Sequence, residues 1–159
     1  MDIITGLQNK KDTEAHQLLL QLEKQSAESY TLYEYFDDFI NLLKNKSPFV
    51  KTRGFRLACV QAQWDVENKI EKNLEVILLI LDDEKPTAVR QCLTSLHTVI
   101  LYKTELGETI IAKLDAMDLS KYKDSMSPLI KKDMEEIKRS KTKQYGAKTK
   151  LSERTGKNH

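Results

Sequence analysis

Ser47-Pro48-Phe49-Val50-Lys51, Lys85-Pro86-Thr87-Ala88-Val89-Arg90 and Ser127-Pro128-Leu129-Ile130-Lys131 hold all three prolines of this 159-residue chain in one frame: a polar turn, proline, aliphatic residues and a cation. Aligning Val50, Val89 and Ile130 spaces the frames 39 and 41 residues apart. Proline suits the first turn of a helix, where its missing N–H would have had no intrahelical partner, and a serine before it supplies a capping oxygen. Each frame therefore predicts a helix start. A recurrence near 40 residues is the length of one helix pair in a stack of such pairs.

Working outward, the apolar residues keep a helical period on both sides of every frame. Predicted helices run over 2–8, 13–25 (Ala15, Leu18, Leu19 and Leu22 on one face), 31–44, 48–64, 66–81, 86–103, 108–117 and 128–139. Gly54 inside the helix after Pro48 costs about 1 kcal/mol of propensity, which predicts a close approach of a neighbouring helix. Asp65 reads as the N-cap of the helix that follows it. The fold class expected is all-α, with about four helix pairs.

The formal charge of +2 hides two parts: residues 138–159 carry +7 and the remainder −5. Beyond Ser140 the apolar period stops, so the expected organisation is a repeat domain over 1–139 and a basic, disordered tail over 140–159. The longest apolar run, Val76 to Leu81, is far short of the roughly 18 residues of a membrane span. The start, Met1 to Gly6, reads as lacking a secretory signal, and the two cysteines, Cys59 and Cys92, fall on apolar helix faces; a cytoplasmic, reducing location is expected. His16, His97 and His159 show no metal-ligand spacing, so neither metal nor cofactor is expected.

Leu74 to Ile100, LEVILLILDDEKPTAVRQCLTSLHTVI, resembles a HEAT repeat: an aliphatic first helix, an acidic turn, Pro, and a Val-Arg pair opening the second helix. With TRGFRLACVQAQWD at Thr52 to Asp65 and DLSKYKDSMSPLIKKD at Asp118 to Asp133, the chain is similar to small bacterial HEAT-repeat proteins that sometimes carry a SufBD label. Two isolated cysteines do not make the iron–sulfur scaffold which that label suggests. The resemblance implies a HEAT/armadillo-like right-handed α-solenoid whose second helices line a concave binding face. Solvent-facing candidates there are Lys51, Arg53, Arg56, Arg90, Gln91, Thr94, Lys131 and Lys132, with Trp64 at the margin. Such a face implies a non-catalytic scaffold for a protein or peptide partner, an acidic one if these cations are free. If they are not, Lys51, Arg90 and Lys131 form an inter-repeat ladder with turn acids such as Asp82 and Asp83.

Catalytic signatures are missing, including phosphate loops and nucleophile elbows. Trp64, Asp65 and Arg53 echo the site of HEAT-like alkylpurine DNA glycosylases, the alternative enzyme reading. Nucleic-acid or ribosome contact through the basic tail is a further alternative. No membrane or small-molecule partner is expected.

Overall fold

The computed structural model describes residues 2–141, and every regular element among them is helical. In chain order these are α1 (Ile3–Leu7), α2 (Asp12–Glu28), α3 (Phe36–Leu42), α4 (Pro48–Val60), α5 (Lys69–Lys72), α6 (Leu74–Leu78), α7 (Pro86–Tyr102) and α8 (Gly107–Ala116). A last helix, α9, runs from 127 to 141. Single 3-10 turns occupy Thr31–Tyr35, Gln61–Trp64, Leu79–Asp82 and Thr104–Leu106. No helix among the described residues is long and apolar enough to cross a membrane.

Pro48 and Pro86 stand in the first turns of α4 and α7. At α4 the Ser47 hydroxyl accepts the Val50 N–H at 3.4 Å, the cap read from sequence. At α7 the polar turn works one step earlier, where Asp83 Oδ1 accepts the Lys85 N–H at 2.8 Å.

The long helices lie side by side. α4 packs against α2, α3 and α7. Glu23 and Ser26 of α2 meet Arg56 and Gln61 at α4 and its end, and Arg90 and His97 of α7 meet Asp133 and Ser140 of α9. Arg56 also meets Gln91, as Asp65 meets Lys103. In every pairing the numbers climb together, so α2, α4, α7 and α9 run parallel, and the shorter α3, α5–α6 and α8 carry the chain back between them. One continuous core joins Phe36 and Phe39 of α3, Phe55 and Leu57 of α4, Leu93, Leu96 and Ile100 of α7, Leu114 of α8 and Ile137 of α9. Each such side chain, fully buried, stabilises by about 1.5–3 kcal/mol. A Cβ on Gly54 would lie 2.6 Å from the Phe39 carbonyl oxygen and 2.7 Å from Leu42 Cβ, so the glycine marks the close helix approach that its position predicts. Cys59 and Cys92 are free and buried, and burial pushes both thiols up.

Two predicted helices differ from the structure. The helix expected over 31–44 opens as a 3-10 turn and becomes α-helical only at Phe36. The one expected over 66–81 is broken into α5, α6 and a 3-10 turn. Here Asp65 accepts the N–H groups of Lys69 at 2.8 Å and Ile70 at 3.0 Å. That capture holds Val66 and Glu67 in a loop, and the chain turns through Asn68 at φ 55°, a left-handed conformation that asparagine tolerates better than most residues. Asn73 then donates its side-chain amide to the Lys69 carbonyl at 2.7 Å, in competition with the helix's own bonding, and α5 ends.

The acidic turn after α6 is tied to α8 and the segment beyond it: Lys113 reaches Asp82 at 2.6 Å and the Tyr122 hydroxyl donates to the Asp83 carbonyl at 2.5 Å. Burial, followed by the charges of Asp83, Asp82 and Asp118, pushes the Tyr122 phenol up to about 12. A folded-state value above the unfolded one, about 10, makes the unfolded chain release this proton first, so the stabilisation is complete below pH ~10 and is lost as pH rises towards ~12. Urea unfolding across that window should show declining stability, and Tyr122→Phe should flatten the decline. An unchanged slope in the variant would remove Tyr122 as its source.

α9 extends past the boundary expected at Arg139, through 141. The tail expected to be disordered over 140–159 is thus helical at 140 and 141, and its remaining residues, 142–159, lie outside the described residues.

Candidate functional site

α7 has two faces set by helical spacing. Val89, Cys92, Leu93, Leu96, Val99 and Ile100 are buried. Gln91, Thr94, Ser95 and Thr98, at i, i+3, i+4 and i+7, make an uncharged polar stripe on the other side. This stripe forms one wall of an open hollow of about 290 Å³, with Arg56 of α4 and Glu23 of α2 opposite.

Arg56 organises the hollow. Its Nε and Nη2 donate to the two carboxylate oxygens of Glu23, at 3.0 and 2.6 Å, a paired geometry that fixes both side chains. Its Nη1 donates to Gln91 Oε1 at 3.0 Å. Because a guanidinium only donates, Gln91 must turn its carbonyl oxygen to Arg56 and leave its amide NH₂ directed elsewhere. Thr94 donates its hydroxyl to the Arg90 carbonyl at 3.1 Å, which leaves that oxygen able to accept. The hollow is therefore lined by a neutralised ion pair and by uncharged donors and acceptors.

Of the residues expected on this face, the structure brings together Arg56, Gln91 and Thr94. Lys51 lies elsewhere, 3.9 Å from Asp83, in a separate hollow with Leu43, Val76, Leu79 and Ile80. Lys131 and Lys132 are exposed on α9. Trp64 donates its indole N–H to the Ser26 carbonyl at 2.6 Å and stands edge-on to Tyr30 with centroids 6.4 Å apart, closing the joint between the ends of α2 and α4.

Arg53 requires a correction: it is not solvent-facing but 5% exposed. It donates to the Leu7 carbonyl at 2.9 Å and to Asp12 at 2.9 Å, clamping α4 to the α1–α2 turn. Arg90 is also committed, although not to the turn acids Asp82 and Asp83. Its Nε and Nη2 donate to Asp133 of α9 at 2.7 and 3.3 Å, and that bond pushes its already high pKa further up. With the Arg90 side chain 38% exposed, the pair should contribute no more than about 1 kcal/mol. Arg90→Ala is accordingly expected to lower stability by that amount in denaturant titration while leaving binding at the hollow intact. A loss of binding without loss of stability would return Arg90 to the site.

Sequence reasoning missed Glu23, Ser95 and Thr98. The two hydroxyls were legible as the continuation of the Gln91–Thr94 stripe at helical spacing. Glu23 was not, since its partner lies 33 residues further along the chain.

Asp65 is 2% exposed. One oxygen accepts the Tyr33 hydroxyl at 2.5 Å and the Lys69 N–H, the other the Ile70 N–H, and Lys103 Nζ stands 3.7 Å away. Burial and the bond to Asp65 push the Tyr33 phenol well above its ordinary range. Arg53 and Trp64, eleven positions apart, are separated by roughly 18 Å along the helical axis. The three residues that echo a glycosylase thus form no common surface, and the carboxylate is occupied in holding backbone. Among the described residues no group of three His, Cys, Asp or Glu side chains could hold a metal ion. Most of the basic tail lies outside the described residues.

No protein-family model matches the chain, and neither a curated protein nor a solved structure matches it.

Proposed function

We propose that this protein is a non-catalytic interaction module, a short HEAT/armadillo-like right-handed solenoid of about four helix pairs that offers the face of its second helices to a protein or peptide. The parallel row α2, α4, α7 and α9, with shorter return helices between, supports the solenoid reading. The observation that carries the binding reading is the hollow between α2, α4 and α7, where polar side chains are held in place by one another and still present groups to an incoming chain. Two free, buried cysteines fit a reducing, cytoplasmic setting.

The test is a photo-crosslinking amino acid placed at Thr94, in the hollow, and in a second variant at Glu75, exposed on α6. Irradiation in the native cell should give discrete protein adducts from position 94 and none of the same mass from position 75. Identical adduct patterns from both positions, or none from 94, would overturn the reading.

A further inference from the structure

The three arginines that would draw an acidic partner are already engaged. Arg53 is buried against Leu7 and Asp12, Arg56 is held by Glu23, and Arg90 is held by Asp133. What faces the hollow beside that neutralised pair, whose Arg56 keeps two N–H groups in hand, carries no charge: the Gln91 amide NH₂, the acceptor side of the Thr94 hydroxyl, and the Ser95 and Thr98 hydroxyls. From these we infer that the hollow binds an extended, uncharged peptide segment through its main chain rather than an acidic side-chain cluster. The inference rests on the interaction-module reading above and narrows it to one ligand class.

Three features carry it. Every peptide group taken out of water needs a partner for its N–H and its C=O, and a stripe that mixes amide donors with hydroxyls able to do either meets both needs. From Gln91 to Thr98 the helix rises roughly 10 Å, which is the length of about three residues of extended chain. At about 290 Å³ the hollow sits at the lower limit of small-molecule sites, so a segment lying across it fits better than an engulfed ligand. A charged side chain over the Arg56–Glu23 pair would lose hydration and find both charges already neutralised.

The experiment is an NMR titration of the full ¹⁵N-labelled chain with capped octapeptides: an Ala/Ser peptide, the same peptide with alternating Asp, and an N-methylated form of the first. The Ala/Ser peptide is expected to shift the Gln91 side-chain NH₂ and the amides of Thr94, Ser95 and Thr98. Its affinity should change by less than about twofold as salt is raised tenfold, since no free charge is screened. N-methylation should abolish binding. Gln91→Glu, which keeps the acceptor for Arg56 and removes the donor, should weaken binding at least about tenfold, and Thr94→Val should weaken it as well.

Tighter binding of the Asp peptide, falling with salt, would overturn the inference and restore an electrostatic face. If no peptide shifts these groups while the crosslinker at 94 still captures a protein, the inference fails and the interaction reading stands. Silence in both experiments would reject both.

Discussion

Asp65→Ala is expected to destabilise the protein by about 4 kcal/mol, the range found when one partner of a buried, charge-assisted network is deleted. The loss has three parts. The Lys69 and Ile70 N–H groups are left without their acceptor at the start of α5, the Tyr33 hydroxyl loses its partner, and Lys103 keeps its charge beside an emptied site. Lys103 also donates to the Asp65 carbonyl at 2.6 Å and to Asn68 Oδ1 at 3.0 Å, so part of its anchoring survives. Asp65→Asn, which retains one acceptor oxygen and the shape, should lose roughly half as much. Denaturant titration of the three proteins measures the series. A loss below about 1 kcal/mol for the alanine variant would mean that the 65–73 segment holds its conformation without the carboxylate.

The second large effect is expected at Gly54, where alanine would be an improvement by helix propensity alone. That gain is about 1 kcal/mol. Against it, the new methyl group would sit 2.6 Å from the Phe39 carbonyl oxygen and 2.7 Å from Leu42 Cβ. Neither is the loose end of a flexible side chain, so α3 and α4 must move apart. Overpacking of this kind costs roughly 3 kcal/mol, for a net loss of about 2 kcal/mol and a melting temperature several degrees lower. Thermal and urea unfolding of Gly54→Ala check it. An unchanged or raised stability would show that the two helices separate at no cost.

Features encoded by neighbouring residues were legible from the sequence. The Ser47-Pro48 start needs only its own frame and the Val50 N–H, and the Gly54 contact announces itself by its propensity cost. The break after Asp65 was not legible, because Val66 to Leu81 keeps an apolar spacing that a single helix would satisfy. What breaks it is a carboxylate held in place by Tyr33, 32 residues earlier in the chain. Arg53 shows the same limit at the candidate site. Its charge argued for solvent, although Val50 and Leu57, three before and four after, are both buried. Its true surroundings depend on Leu7 and Asp12, 46 and 41 positions away. Gln91 and Thr94 were found on local spacing, whereas the neutralisation of Arg56 by Glu23 required the packing of α2 on α4.

Trp64 gives the molecule a built-in gauge. It is the only tryptophan in the chain, and its indole N–H is bonded to a carbonyl at the end of α2, while Tyr30 from the following turn stands against its ring. Indole emission responds to the polarity around the ring and to that hydrogen bond. The fluorescence of the unmodified protein therefore registers one event, the lifting of the end of α2 from the end of α4. Since Glu23 of α2 holds Arg56 in place, the same emission reports whether the wall of the hollow is assembled, without any label near the site.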